Sequence, residues 1–281
     1  MKKIITLVLM LPALASYAQP KIITQAIVNT KTTVVVPEGE EDQTRTFTTE
    51  DGQERVVRFN IGNGETKSVT TLKNDMVKTF TENESSRTTL IRDNAKKTST
   101  TILEMMGKKT GFIATDEEQA QAAKRIDSMM QSRNEQGNFR QRSTPVFTTE
   151  YIDETKKIAG YTCKKALVID TTDNKADTTI VWYCPDFKLQ NITSTGGIAS
   201  GFAGMVAVAR PNGMENLDGF PMQYEKNLSR GRKMTVQVTK LVIDKDVADK
   251  EFEIPKDIVL KTLKEMENGG GPGNVRIVVG G

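Results

Sequence analysis

The side chains that most often carry acid–base, nucleophilic or metal chemistry are unevenly represented in this chain. It contains 36 Asp and Glu residues but no histidine. Without histidine, Ser-His-Asp and Cys-His catalytic groups, ordinary zinc sites and imidazole acid–base catalysis are excluded. A pair of carboxyl groups could still support hydrolysis, but none lies in an apolar context that would raise its pKa. We therefore keep a carboxylate-based hydrolase only as a third hypothesis, and we expect no catalytic residue, metal site or cofactor.

The two cysteines, Cys163 and Cys184, lie in segments that read as the two strands of a hairpin. Residues 161–170 and 178–184 alternate apolar and polar side chains around a polar turn, which is typical of antiparallel strands. The register that aligns their apolar positions places Cys163 opposite Cys184, on the same face as Trp182. In an oxidising compartment this geometry predicts a structural disulfide, worth about 3 kcal/mol in the chain-entropy model. A redox-active pair usually has Cys-x-x-Cys spacing instead.

The first eighteen residues have the layout of a cleavable secretion signal. Two lysines precede the apolar stretch 4–14, and Ser16 and Ala18 supply the small residues of a cleavage site. The stretch is shorter than the ~20 residues of a spanning helix, so we expect cleavage between Ala18 and Gln19. No cysteine follows the signal directly. The mature protein is therefore expected to be periplasmic or secreted and not to be a lipoprotein.

Composition narrows the possible partners. The net charge is only +3 and 27% of the residues are charged, without a block of five or six basic residues, so we expect no nucleic-acid partner. No later apolar run is long enough to cross a bilayer. The length fits one β-rich domain at 19–267, followed by a glycine-rich tail at 268–281.

The N-terminal part predicts an antiparallel meander. Short segments rich in Thr, Val and Ile alternate with turn-forming pairs such as Asn63-Gly64. The many threonines indicate one wet face and one packed face. The predicted strands are 22–36, 55–61, 66–72, 76–82, 86–92 and 97–104.

Two segments have helical periodicity. Residues 116–133 begin with acidic side chains and place Gln119 at the capping-box position. A final helix is predicted to begin at Pro255 and to end at Gly269. With further strands at 146–155, 221–228 and 232–243, the fold class is mainly β (α+β): a single curved antiparallel sheet or half-barrel, with a mid-chain helix and a C-terminal helix on one side.

A resemblance to a known family rests on three motifs in the strand-rich part that follows the mid-chain helix, which we call the second β block; the meander before that helix is the first β block. They are the stretch from Tyr151 to Ala166, which contains Gly160-Tyr161-Thr162-Cys163-Lys164-Lys165, then Trp182-Tyr183, and then Gly219-Phe220-Pro221-Met222. Over about residues 146–260 these motifs resemble the GLPGLI family and related secreted families of Gram-negative envelopes. The last motif keeps only the leading Gly and the Pro, which points to a sister family.

These families are similar in layout to periplasmic lipoprotein carriers, in which a bent antiparallel sheet holds acyl chains under helices and loops. The resemblance implies that the helix at 116–133 and the glycine-rich segment 196–209 cover a cavity. Methionine is suited to lining adaptable apolar cavities, although core packing is its default role. The candidate ligand-binding residues are Met130, Trp182, Met205, Val206 and Val208.

Our leading hypothesis is a non-enzymatic periplasmic binding or accessory protein that holds an apolar envelope molecule on the sheet. The alternative is a partner-binding or structural envelope protein, in which Val275 to Val279 add a strand to another protein's sheet. A cavity of roughly 300 Å³ or more would favour the first hypothesis.

Overall fold

The computed structural model describes most of the predicted β-rich region. The described residues are 19–38, 43–48, 54–59, 64–83, 86–105, 107–132, 146–172, 177–191, 213–228 and 231–268. The predicted signal peptide, the segment 196–209 and the tail strand at 275–279 lie outside these ranges.

Strands make up most of the described chain, and two α-helices accompany them. The helices are α1 (Asp116–Ser132) and α2 (Leu263–Asn268). In chain order the strands are β1 (Lys21–Ile23), β2 (Gln25–Val35), β3 (Gln43–Thr48), β4 (Glu54–Phe59), β5 (Gly64–Lys73), β6 (Met76–Glu82), β7 (Ser86–Asp93), β8 (Thr98–Met105), β9 (Lys108–Thr115), β10 (Phe147–Ile158), β11 (Tyr161–Asp170), β12 (Asp177–Cys184), β13 (Phe187–Leu189), β14 (Phe220–Asn227), β15 (Lys233–Ile243) and β16 (Leu260–Thr262).

One large sheet unites the two β blocks. Its strand order is β10-β11-β12-β14-β15-β2-β5-β6-β7-β8-β9-β16, and it is curved and unclosed. Strand β15 pairs with β14 on one side and with β2 on the other. Only β16, which runs parallel to β9, departs from antiparallel pairing in this sheet. The predicted mainly β fold with a curved sheet is confirmed.

The predicted hairpin register is also confirmed. Leu167 pairs with Ile180 and Lys165 pairs with Trp182. Leu167 and Ile180 are half-buried, whereas Ala166 on the opposite face is fully buried. Both faces of this hairpin therefore contact other parts of the protein.

The meander prediction needs three corrections. The segment predicted as one strand bends at Thr24, so that β1 leaves the large sheet and pairs with β13. Strands β3 and β9 were not predicted. The prediction of one wet face is wrong for β5. The neighbours Thr70 and Thr71 are both buried, and successive side chains of a strand point to opposite faces. Both faces of β5 are covered there.

Helix α1 has the predicted bounds, but another pair of residues caps it. Thr115 N donates to Glu118 Oε2 at 2.8 Å, and Glu118 N donates to Thr115 Oγ1 at 3.2 Å. This is a capping box, and it replaces the predicted role of Gln119. Arg92 of β7 forms an ion pair with Asp116 at the start of the helix. The hydrogen bond from Arg92 lowers the pKa of Asp116. Asp116 therefore stays negatively charged at the helix N-terminus, where negative charge is favourable.

The final helix begins later than predicted, at Leu263 instead of Pro255. Residues 260–262 are extended because they pair with β9, and the backbone N–H of Thr262 is capped by Glu265 at 2.7 Å. Val259, which would lie within the predicted helix, belongs to no helix or strand and is 83% exposed. Ala122 of α1 and Leu263 of α2 pack in one cluster with Phe112 and Ala114. Both helices therefore contact the same part of the sheet, as predicted.

Within the described ranges, no helix has the length and apolar character needed to span a membrane. The largest core cluster lies where β2, β14 and β15 meet, and contains Val28, Phe220, Met222 and Val238. The two halves of the chain therefore share a core as well as a sheet.

Gly219 is predicted to tolerate no side chain. A Cβ at this position would overlap the carbonyl oxygen of Cys184, which is backbone and cannot rotate away. We expect Gly219→Ala to lower the free energy of unfolding by about 3 kcal/mol or more, measured by urea denaturation. Gly107→Ala is the control, because no atom lies near its Cβ position and only its φ of 73° is unfavourable. A smaller loss for Gly219→Ala than for Gly107→Ala would contradict this packing.

Candidate functional site

The candidate site lies under residues 244–259, which we call the crossing segment. This segment leaves β15 near the centre of the sheet and crosses to its edge, where β16 pairs in parallel with β9. It begins at Asp244, with a φ of 57°. Val247 and Phe252 are buried and pack with Ile91 of β7. The segment is thus anchored on one face of β5 to β8.

Lysines of the sheet bind the backbone of the crossing segment. Lys73 Nζ donates to Val247 O, and Lys78 Nζ donates to Glu251 O, both at 2.7 Å. Backbone carbonyls that no helix or ladder uses need such donors. Lys73 also pairs with Asp249 at 2.7 Å, and this hydrogen bond raises the pKa of Lys73. The charged groups stabilise the position of the segment above the sheet.

A cavity of about 220 Å³ lies between the sheet and the later part of the crossing segment, and we call it the apolar cavity because half of its ten lining residues are apolar. Its floor is the row of paired residues Phe80, Thr89 and Ile102, which continues to Gly111 in β9. A Cβ on Gly111 would lie 2.6 Å from Ile258 Cγ2. The missing side chain therefore lets the segment approach the sheet at this end. The remaining lining residues are Lys78, Ile91, Glu104, Lys109, Glu253, Pro255 and Ile258.

A second, charged cavity of about 490 Å³ lies beside the first, and Glu253 lines both. We call the two together the cleft. The charged cavity is formed by the β5–β6 and β7–β8 turns and the crossing segment. Its lining comprises Lys73, Asn74, Asp75, Met76, Asp93, Ala95, Lys96, Asp249, Phe252 and Glu253. The larger cavity exceeds the expected size of roughly 300 Å³ and six of its ten lining residues are charged, while the smaller cavity is below that size.

Trp182 lines neither cavity of the cleft. Its ring is covered by Lys156, whose Nζ lies 4.3 Å from the ring centroid, and is approached by Lys165 at 5.8 Å. Lys156 Nζ also donates to Gln223 Oε1 at 2.9 Å, and desolvation lowers the pKa of Lys156. The half-buried indole is thus part of a cation–π array on the sheet surface.

The other predicted ligand-binding residues are not brought into the cleft by any described contact. Met205, Val206 and Val208 lie outside the described residues, and the side chain of Met130 is likewise outside them. Conversely, the crossing segment was not recognised from the sequence. The available signal was the absence of helical periodicity between Asp244 and Pro255.

The predicted disulfide is absent from this structure: Cys163 and Cys184 are both free and fully buried. The β11–β12 ladder ends one pair before them. Each thiol donates to its own acceptor, Cys163 to Tyr161 O at 3.6 Å and Cys184 to Asp186 Oδ2 at 3.7 Å. Desolvation raises the pKa of Cys163 to about 12 and that of Cys184 to about 11. Among the described side chains, no group of three or more acids or cysteines is arranged to hold a metal ion.

Comparison with known proteins identifies no family. No family model matches the chain, and no curated protein matches it. Solved structures of PNGF-II in space groups C2 and P21 align at TM-scores of 0.34 and 0.32, with 14% and 15% sequence identity. The alignments cover 87% and 86% of this chain but only 32% and 33% of those proteins. At these scores the similarity carries no argument about fold or function.

The buried thiols are predicted to be unreactive in the native protein. Because both thiols are fully buried and have raised pKa values, little thiolate is available to attack a reagent at pH 8. We expect iodoacetamide to modify neither cysteine in native protein and both in guanidinium chloride, as measured by intact mass. An unmodified denatured chain two hydrogens lighter than calculated would instead reveal a disulfide.

The lysine contacts are predicted to hold the crossing segment. Lys78→Met keeps the apolar stem but removes the donor to Glu251 O, so we expect a stability loss of about 1 kcal/mol. Hydrogen exchange at the amides of Glu251 and Glu253 should become faster. Lys67→Met is the control, because Lys67 is on the same sheet and its side chain is 76% exposed. Equal exchange in the two variants would rule out this role for Lys78.

Proposed function

We propose that this chain is an exported, non-enzymatic binding protein of the bacterial envelope that holds an apolar ligand in the cleft. The observation that carries the proposal is the cleft as a whole: a cavity of about 490 Å³, larger than the roughly 300 Å³ expected for a ligand site, lies beside the smaller one floored by Phe80, Thr89 and Ile102. Binding pockets are typically concave, largely apolar and provided with a few polar groups at defined positions. The cleft combines these properties, with apolar walls under the crossing segment and charged groups at one end.

The pKa shifts of the carboxyl groups also favour ligand binding over hydrolysis as the function. A carboxylate-based hydrolase would need one acid kept protonated at neutral pH by a raised pKa. In the described part of the chain, every carboxyl group with a shifted pKa has it lowered, for example Asp93 beside Lys96 and Glu225 beside Lys233. Such groups are ionised acceptors and suit ion pairing better than proton donation.

The partner-binding alternative depends on Val275 to Val279, outside the described residues. It differs from the ligand-binding proposal in what should accompany the purified protein. A ligand carrier retains a small apolar molecule, whereas a strand donor retains another protein.

The test is native mass spectrometry of protein purified gently from its own periplasm. We expect a stoichiometric small molecule that organic extraction removes. In Thr89→Phe the new ring would fill the apolar cavity, and the co-purifying molecule should be lost. Thr88→Phe is the matched control, because Thr88 is also half-buried but points to the other face of β7 and should leave binding unchanged.

Either of two results would overturn the proposal. The wild-type chain could be empty and remain empty when apolar extracts of the envelope are added. Alternatively, Thr88→Phe and Thr89→Phe could retain the molecule equally, which would place the ligand elsewhere. A thermal unfolding scan of both variants excludes misfolding as the cause of lost binding.

A further inference from the structure

The charged cavity has an excess of negative charge. Its lining includes four carboxylates and two ammonium groups, a difference of two negative charges. Lys73 pairs with Asp249 at 2.7 Å, and Lys96 pairs with Asp93 at 2.9 Å. These pairs cancel most of the charge. The two carboxylates that remain are Asp75 and Glu253.

The basic groups of the apolar cavity do not offset this excess. Lys78 lies 4.0 Å from Glu251, and Lys109 lies 3.2 Å from Asp257. Glu104, the other acid in this lining, lies 3.9 Å from Arg87. Each of these charges has an opposite partner. Within the described part of the protein, Asp75 and Glu253 have no ion-pair partner.

Glu253 connects the excess charge to the apolar cavity, because it lines both cavities of the cleft. An alkyl chain between Phe80, Ile102 and Ile258 would end with its head group beside this carboxylate. Both carboxylates are exposed, so solvent weakens their attraction for the opposite charge and their repulsion of the same charge without changing the sign of either. The cleft thus favours a positively charged head over a negatively charged one.

We propose that the cleft selects a cationic amphiphile, in which an alkyl chain occupies the apolar cavity and an ammonium-type head lies next to Glu253 and Asp75. This inference rests on the proposed ligand-binding function and adds the charge of the ligand. The paired lysines hold the crossing segment in place, and the unpaired carboxylates determine which head group binds.

The test compares three probes that share one alkyl chain: decyltrimethylammonium, decyl maltoside and decyl sulfate, each below its micelle concentration. We expect the full chain to bind the cationic probe most tightly and decyl sulfate least tightly in isothermal titration calorimetry. Added salt should weaken only the binding of the cationic probe to the carboxylates, because screening acts on charge pairs. The affinity for decyl maltoside should not change.

Substitution of the two carboxylates gives the second readout. Glu253→Gln and Asp75→Asn should each reduce the affinity for decyltrimethylammonium about threefold, and about tenfold together, as expected for exposed charge pairs. Neither substitution should change the affinity for decyl maltoside. Glu150→Gln is the control, because it removes the same charge from an exposed position on β10, at the other end of the sheet.

The possible failures are distinguishable. Equal affinity for all three probes, or tighter binding of decyl sulfate, would overturn the charge selection and leave ligand binding in the cleft intact. If Glu150→Gln reduced the affinity for decyltrimethylammonium as much as Glu253→Gln, the charge selection by the cleft would also be overturned, because the effect would come from net charge alone. If none of the probes binds while the purified chain still carries a small molecule that Thr89→Phe loses, the charge selection is overturned and the proposed function stands. A purified chain that is also empty overturns both.

Discussion

The pairing of β2 with β15 is the interaction on which the rest of the structure depends. It comprises ten residue pairs, from Val35 with Lys233 to Ala26 with Ile243, between strands about 200 positions apart. Closing so long a loop costs entropy, although the cost grows only slowly with length. Buried contacts such as those of Val28 and Val238 offset that cost. Without this ladder each block would end in an unpaired edge strand, which is a liability for aggregation.

The position of β15 determines where the cleft forms. Four strands, β5 to β8, separate β2 from β9 in the sheet order, so the chain must cross one face to add β16 at the far edge. That crossing covers the face of the sheet on which Thr71 and Thr100 are buried, in one row with Lys78 and Ile91. It also creates the space above Ile102, since an irregular segment packs less uniformly on a sheet than a helix or a second sheet. The cleft is thus a consequence of topology.

Charge in the cleft is divided between two roles. The lysines that face the crossing segment bind its carbonyls and carboxylates, so their charges serve the fold. Among the described residues, Glu253 and Asp75 have no such partners, and we propose that their charges serve recognition. Both roles are possible because the crossing segment carries its own acids, including Asp249, Glu251 and Asp257, which neutralise the lysines.

The local elements could be predicted closely, and the candidate site could not. The bounds of α1, most meander strands and the β11–β12 register follow from periodicity, because apolar spacing reports directly which local conformation buries side chains on one face. The segment after Asp244 has no periodicity, and its conformation depends on Lys73, Lys78 and Gly111, which are distant in the sequence. Distance in the sequence also explains why the final helix was wrongly predicted to begin at Pro255. Proline is favourable at a helix start, but pairing of the following residues with the distant strand β9 outweighed that preference.

By itself, the sequence determined a mainly β protein with an α1 helix, no histidine chemistry and a hairpin that brings Cys163 and Cys184 close together. The tertiary structure decided whether those two thiols bond to each other. The β11–β12 ladder ends before it reaches them, and each thiol donates a hydrogen bond to its own acceptor. The order of strands, the shared core and the cleft were likewise decided by the tertiary structure. The physical reason is that local propensity acts over a few residues, whereas sheet order and cavities depend on contacts between residues that only folding brings together.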